Sequence, residues 1–273
     1  MVQRLITASF MVVFGVLVLY FGGTVFAVGA MLCFIVALRE EYHALSVAGH
    51  RPIAWPTWVA MIICIPMAAI LKRPVFSPIL MVTCLLTIAL VIFRKDPHLE
   101  DGLMSLVPLF SVLLPGLCIV SLSHIQPLSV QRTLIALLIV VPVLGDTFAY
   151  FVGSHFGGPK LCPAVSPNKT ISGAVGGLIG SVAGAMIVWL LAFLICAPTT
   201  QPHLPAWWVC LLIGLFGGIA SQLGDLFASL IKRHCNIKDF SNLFPGHGGM
   251  MDRMDGILFC GVCCYMFFRF FGL

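Results

Sequence analysis

Asp225, Asp252 and Asp255 stand close in sequence to Lys232, Arg233, Lys238 and Arg253, in the stretch LGDLFASLIKRHCNIKDFSNLFPGHGGMMDRMD. With Asp239, the segment from Ser229 to Asp255 holds seven of the 25 charged side chains in a chain that is only 9% charged. Carboxylates arriving from two helices suit a hard divalent cation such as Mg²⁺, which takes oxygen ligands and keeps waters that a phosphate can replace. At helical spacing Ser221, Asp225, Ser229 and Lys232 share one face, setting a carboxylate, a hydroxyl and an ammonium in a row. Asp252 and Asp255, three residues apart, pair in the same way on the next helix.

Between these acids lies Pro245-Gly246-His247-Gly248-Gly249. Glycines there permit positive φ and let backbone N–H groups approach a ligand. A glycine-rich turn that enters a helix N-terminus is a ready anion site. A second stretch, residues 145–177, carries Asp146, Lys160 and Lys169, with Ser166-Pro-Asn-Lys-Thr170 just before a glycine-rich run. It reads as another phosphate contact, although the G-x-x-x-x-G-K-[ST] spacing of a P-loop is absent.

The elements that must carry these groups are transmembrane. The chain has 273 residues, 60% of them hydrophobic, and a mean hydropathy of +1.08. Helices of roughly 20 apolar residues cross the hydrocarbon. Nine spans are expected, at about 5–21, 23–38, 53–71, 76–93, 103–123, 129–153, 174–197, 206–231 and 256–271. The fold class is therefore all-α and polytopic, one membrane domain with N-terminal helices over about 1–125 and a catalytic half over about 126–273. The N-terminal stretch reads as an uncleaved first helix. Most cysteines fall inside apolar runs, where they act as small hydrophobes, and neither disulfides nor a zinc site is expected.

Placing the N-terminus inside puts eleven of the fifteen Lys and Arg side chains on the cytoplasmic side, together with both chemically rich loops. Two strips of small residues, Gly176/Gly180/Gly184 and Gly173/Gly177/Ser181/Ala185, predict close helix packing. Glu40 and Glu41 at the end of the second span, and the mixed-sign FRKDPHLED at 93–101, read as solvated faces.

The run from Ser229 to Asp255, S-x-x-K-R … K-D … P-G-H-G-G-x-x-D-R-x-D, resembles the signature of the phosphatidate cytidylyltransferase (CDP-diglyceride synthase) family. GDTFAYFVGSHFG, SPNKT and LGDLFAS upstream are similar to that family too. The resemblance implies an all-helical bacterial inner-membrane enzyme, commonly a homodimer, that converts CTP and phosphatidate to CDP-diacylglycerol and pyrophosphate at the cytoplasmic face. It implies Mg²⁺ held by Asp225 and Asp252, with a monovalent cation such as K⁺. Relatives carry Glu where this chain has Ala228 and Ser172.

In that chemistry the lipid phosphate is already an anion, so the need is for positioning and charge neutralisation rather than a strong base. Lys169, Lys232, Arg233, Lys238 and Arg253 would grip phosphates, and Ser229 and Asp146 would line the substrate site. Gly246, Gly248 and Gly249 would offer backbone donors, His247 would donate to the departing pyrophosphate, Asp239 would orient Lys238 or Arg253, and Asp255 would support the metal. A CTP-dependent lipid kinase, transferring the γ-phosphate, and an ion transporter using Asp146 and Asp225 are the rival readings. A nucleic-acid partner is not expected.

Overall fold

The protein is described here by a computed structural model, which covers residues 15, 17, 20–71, 76–196, 204–246 and 248–271. Most of the expected span 5–21 lies outside the described residues, as does His247.

Eight described helices account for the other eight expected spans: α1 (Gly23–Val47), α2 (Trp55–Leu71), α3 (Phe76–Ile92), α4 (Leu99–Leu122), α5 (Leu128–Phe156), α6 (Ile171–Cys196), α7 (Trp207–His234) and α8 (Met251–Phe271). Among the described residues, six are long and apolar enough to cross a membrane, while α2 and α3 are shorter. The chain is a polytopic, all-helical membrane protein. Among the described residues the strands form a two-stranded antiparallel hairpin, β1 (Lys160–Cys162) and β2 (Ser166–Thr170), within the stretch read as loop.

Helix α1 runs nine residues past the expected end at 38, so Arg39, Glu40 and Glu41 lie inside it. Hydropathy stops at a charge; a helix does not, because Arg and Glu are themselves good helix formers. Helix α4 is broken by a π turn over Leu109–Leu113. Pro108 and Pro115 bracket that turn, and each withholds the N–H that an α-helical ladder requires.

The described residues fall into two compact units. One comprises Met1–Ser121 with Ile231–Met254, the other Leu122–Leu230 with Asp255–Leu273.

In the second unit, both small-residue strips on α6 are used. Gly180 faces α5 so closely that an added Cβ would lie 2.6 Å from the Phe148 Cβ and 2.7 Å from the Leu144 carbonyl oxygen. Ser181 and Ala185 of the other strip meet Gly218 and Gly214 of α7. Such contacts replace the hydrophobic drive that lipid removes with van der Waals packing.

Cys260 and Cys263 have C-x-x-C spacing, a detail that sequence reading passes over. They lie mid-helix on α8, and the ten described cysteines are free thiols.

Candidate active site

Helix α7 must end so that the chain can turn back toward α8. Asn236 supplies the left-handed residue, with φ of 52°. The N–H groups of Asn236 and Ile237 then return to the carbonyls of Arg233 and Lys232, at 3.2 and 2.9 Å. This closes the last turn while leaving Lys232 aimed back along the loop. Cys235 is buried; burial, and secondarily the Glu41 carboxylate, push its thiol above the ordinary range.

The loop is organised by Asp252, which is 8% exposed. Its Oδ2 accepts the N–H groups of Phe240 and Gly249, both at 2.9 Å, and its Oδ1 accepts a Lys232 Nζ proton at 2.7 Å. The ammonium also lies 5.6 Å from the Phe240 ring centroid, a cation–π distance. Phe244 donates its N–H to the Gly248 carbonyl at 2.9 Å, closing the Pro-Gly-His-Gly turn. Gly248 has φ of 79°, and a Cβ there would sit 2.8 Å from Asp252 Oδ2, so the turn demands glycine on both counts.

Glu40 is not solvated, contrary to expectation. It is 7% exposed and accepts the Met250 N–H at 3.0 Å, the Met251 N–H at 2.8 Å and the Ser241 hydroxyl at 2.5 Å. A carboxylate here satisfies orphan donors at the start of α8 and complements the positive end of its dipole. Glu41 is fully buried and receives the Ser111 hydroxyl from the π turn at 2.8 Å. Asp101, in the other stretch read as solvated, is also buried; it accepts the Arg51 N–H at 2.8 Å and faces Arg94 at 3.4 Å. A signal was available in the sequence: an acid within an apolar helix needs a partner.

These contacts correct another expectation. The N–H groups of Gly249, Met250 and Met251 are given to Asp252 and Glu40, so protein carboxylates occupy the start of α8 where a substrate anion was foreseen.

In the second unit, Lys169 forms an ion pair with Asp225, the two side chains 29% and 32% exposed. Thr170 follows as the cap of α6: its Oγ1 accepts the Gly173 N–H at 3.1 Å. Ser172 donates to the Gly157 carbonyl and pairs with Thr170 Oγ1 at 3.1 Å. Ser229, one turn beyond Asp225, is half-buried, and Ala228 is 1% exposed. Asp146 is exposed on α5, and Asp255 accepts the N–H of its neighbour Gly256 at 2.7 Å.

Arg233, Lys238, Asp239, Gly246 and Arg253 are exposed. Asp239 makes no ion pair with Lys238 or Arg253 among the described residues. No three His, Cys, Asp or Glu residues gather as a metal cluster among the described residues. Asp225 and Asp252 are nonetheless hard oxygen donors, and Mg²⁺ sites use one or two carboxylates with waters and phosphates. A carboxylate has about four lone-pair sites; Asp252 gives three to the bonds above and keeps one at Oδ1.

The profile of the Cytidylyltransferase family matches residues 2–271. Over 135 residues, half of this chain, the sequence is 43% identical to a phosphatidate cytidylyltransferase of Brucella abortus. Over 114 residues it is 46% identical to the protein of that name in Bacillus subtilis, and over 124 residues 36% identical to that of Thermotoga maritima. The matched segments span 46%, 39% and 44% of those relatives, under half of each.

Proposed function

The chain belongs to the Cytidylyltransferase family, and on that premise we propose that it is a phosphatidate cytidylyltransferase. A phosphate oxygen of phosphatidate attacks the α-phosphorus of CTP. The bond from that phosphorus to the β-phosphate bridge breaks, giving CDP-diacylglycerol and pyrophosphate. The observation that supports this reading is the turn braced by Asp252, which holds Lys232 and the Phe240 and Gly249 amides, in a segment where Arg233, Lys238 and Arg253 are exposed.

Two anions must meet, so fixed cations lower the barrier most. Lys232, Arg233, Lys238 and Arg253 grip the triphosphate and the lipid phosphate, and Lys169 contributes from β2. Gly246 and Gly248 admit the nucleotide close to the backbone, while Gly249 leaves room for Glu40. Ser229 offers a hydroxyl one turn from Asp225. His247 donates to the departing pyrophosphate. Asp225 and Asp252 supply hard oxygen donors for Mg²⁺, each facing an ammonium group, Lys169 and Lys232 respectively. Bound Mg²⁺ would supply charge neutralisation of the triphosphate, with K⁺ as a companion ion.

The reading places the protein in a bacterial cytoplasmic membrane as a homodimer, N-terminus inside, with both charged loops facing the cytoplasm. Acyl chains then stay in the bilayer while the head group reaches the basic loop.

The deciding experiment incubates purified protein with phosphatidate, Mg²⁺ and CTP labelled either in cytidine or at the γ-phosphate. Lipid-bound cytidine and free pyrophosphate support the reading. Lipid-bound γ-phosphate would replace it with a kinase.

A further inference from the structure

We infer that Glu40 is a positioning residue for this reaction, acting from α1 on the turn that presents Gly246, Gly248 and Asp252. The inference rests on the cytidylyltransferase reading and goes beyond it by adding a residue from the N-terminal helices.

The geometry is specific. Oε1 and Oε2 of Glu40 accept the successive N–H groups of Met250 and Met251, at 3.0 and 2.8 Å, and Oε1 also takes the Ser241 hydroxyl. Asp252 takes the adjoining Gly249 N–H and that of Phe240. Two carboxylates therefore satisfy three consecutive backbone amides, and both ends of the loop, at 240–241 and 249–251, are tied to them. Gly249 fits against Glu40 so tightly that a Cβ would lie 2.5 Å from Oε2.

Glu40 is itself held in place. Its neighbour Glu41 is engaged by Ser111 in the π turn of α4. Tyr42 donates to Thr57 Oγ1 at 2.8 Å and to the Ser105 carbonyl at 3.0 Å. Three consecutive side chains of α1 thus have fixed and different targets, which sets the rotation of the helix about its axis. Without the Glu40 carboxylate, the loop keeps the Asp252 anchor but loses the one that stops it rotating about that residue. Misplacement on this scale costs turnover more than it costs folding.

The test uses full-length Glu40→Gln, Glu40→Asp and Ser241→Ala proteins, with kcat and KM for CTP, thermal midpoint and amide hydrogen exchange. In Glu40→Gln the side-chain NH₂ faces a backbone N–H, so one amide loses its acceptor. We expect faster exchange at Gly249–Met251 and a fall in kcat of about tenfold or more, with exchange in α5 and α6 unchanged. Glu40→Asp, which keeps the charge on a shorter arm, falls between. If Glu40→Gln does not fold, Ser241→Ala carries the test, with faster exchange at 240–241 and reduced kcat. Wild-type kcat in the variant that folds, or unchanged exchange at these amides, overturns the inference. A wild-type protein that forms no CDP-diacylglycerol overturns the proposed function first, and the positioning role falls with it.

Discussion

The Lys232 ammonium sits 2.7 Å from Asp252 Oδ1, with the two side chains 14% and 3% exposed. Pairs so well shielded are costly to break one partner at a time, because the survivor is left charged and unmatched. Asp252→Asn keeps an oxygen for the Phe240 and Gly249 N–H groups but turns an NH₂ toward Lys232. It should abolish CDP-diacylglycerol formation and lower stability by about 1–3 kcal/mol. Activity assays and thermal unfolding in detergent would check both. Full turnover by the mutant removes Asp252 from the site.

Asp225 gives the opposite balance. Its ion pair with Lys169 is about one-third exposed, and such pairs are worth about 0–1 kcal/mol. Asp225→Asn should therefore unfold almost as wild type does, yet lose activity. A large stability loss with activity retained would make Asp225 structural.

Gly248→Ala tests the turn. It requires an L side chain at φ of 79°, costing about 1–2 kcal/mol, and drives a methyl group toward Asp252 Oδ2 at 2.8 Å. We expect a larger loss of kcat than in Gly246→Ala, which has the same φ but lies exposed. Equal effects of the two would show that backbone strain, rather than displacement of Asp252, is responsible.

What could be read from the sequence divides along physical lines. Lys232, Asp252 and the glycine turn were legible because their partners lie within about one loop of one another, and hydropathy located the helices because lipid leaves few alternatives. The small residues of α6 were legible as packing strips because their period is that of the helix. The role of Glu40 was not: an acid in an apolar stretch signals that a partner exists, but its targets stand 201 to 211 residues away, and nothing local names them. The short hairpin was lost for a related reason, since it depends on a pairing that periodicity does not name, whereas the π turn follows from Pro108 and Pro115, to which hydropathy is blind.

Gly180 tests the packing of α5 on α6. Leucine in its place would collide with Phe148 and with the Leu144 carbonyl, an overpacking worth about 1–3 kcal/mol. Gly180→Leu should lower the thermal midpoint and the yield of folded protein, whereas Ile179→Leu, on an exposed face, should do neither.

Cys235 gives a pH prediction whose sign can be stated. Burial first, and the Glu41 carboxylate second, raise its thiol above the ordinary value. The folded protein therefore binds this proton more tightly than the unfolded chain does. The resulting stabilisation is complete below the ordinary thiol range and is lost as pH rises through the folded value. The thiolate is the reactive form, so maleimide labelling of Cys235 at neutral pH should be much slower in the folded protein than after denaturation. Its rate should begin to climb only at a pH above that of a free thiol. Site-resolved mass spectrometry across a pH series would measure this; rapid labelling of the folded protein at neutral pH would show that Cys235 is not buried as the structure has it.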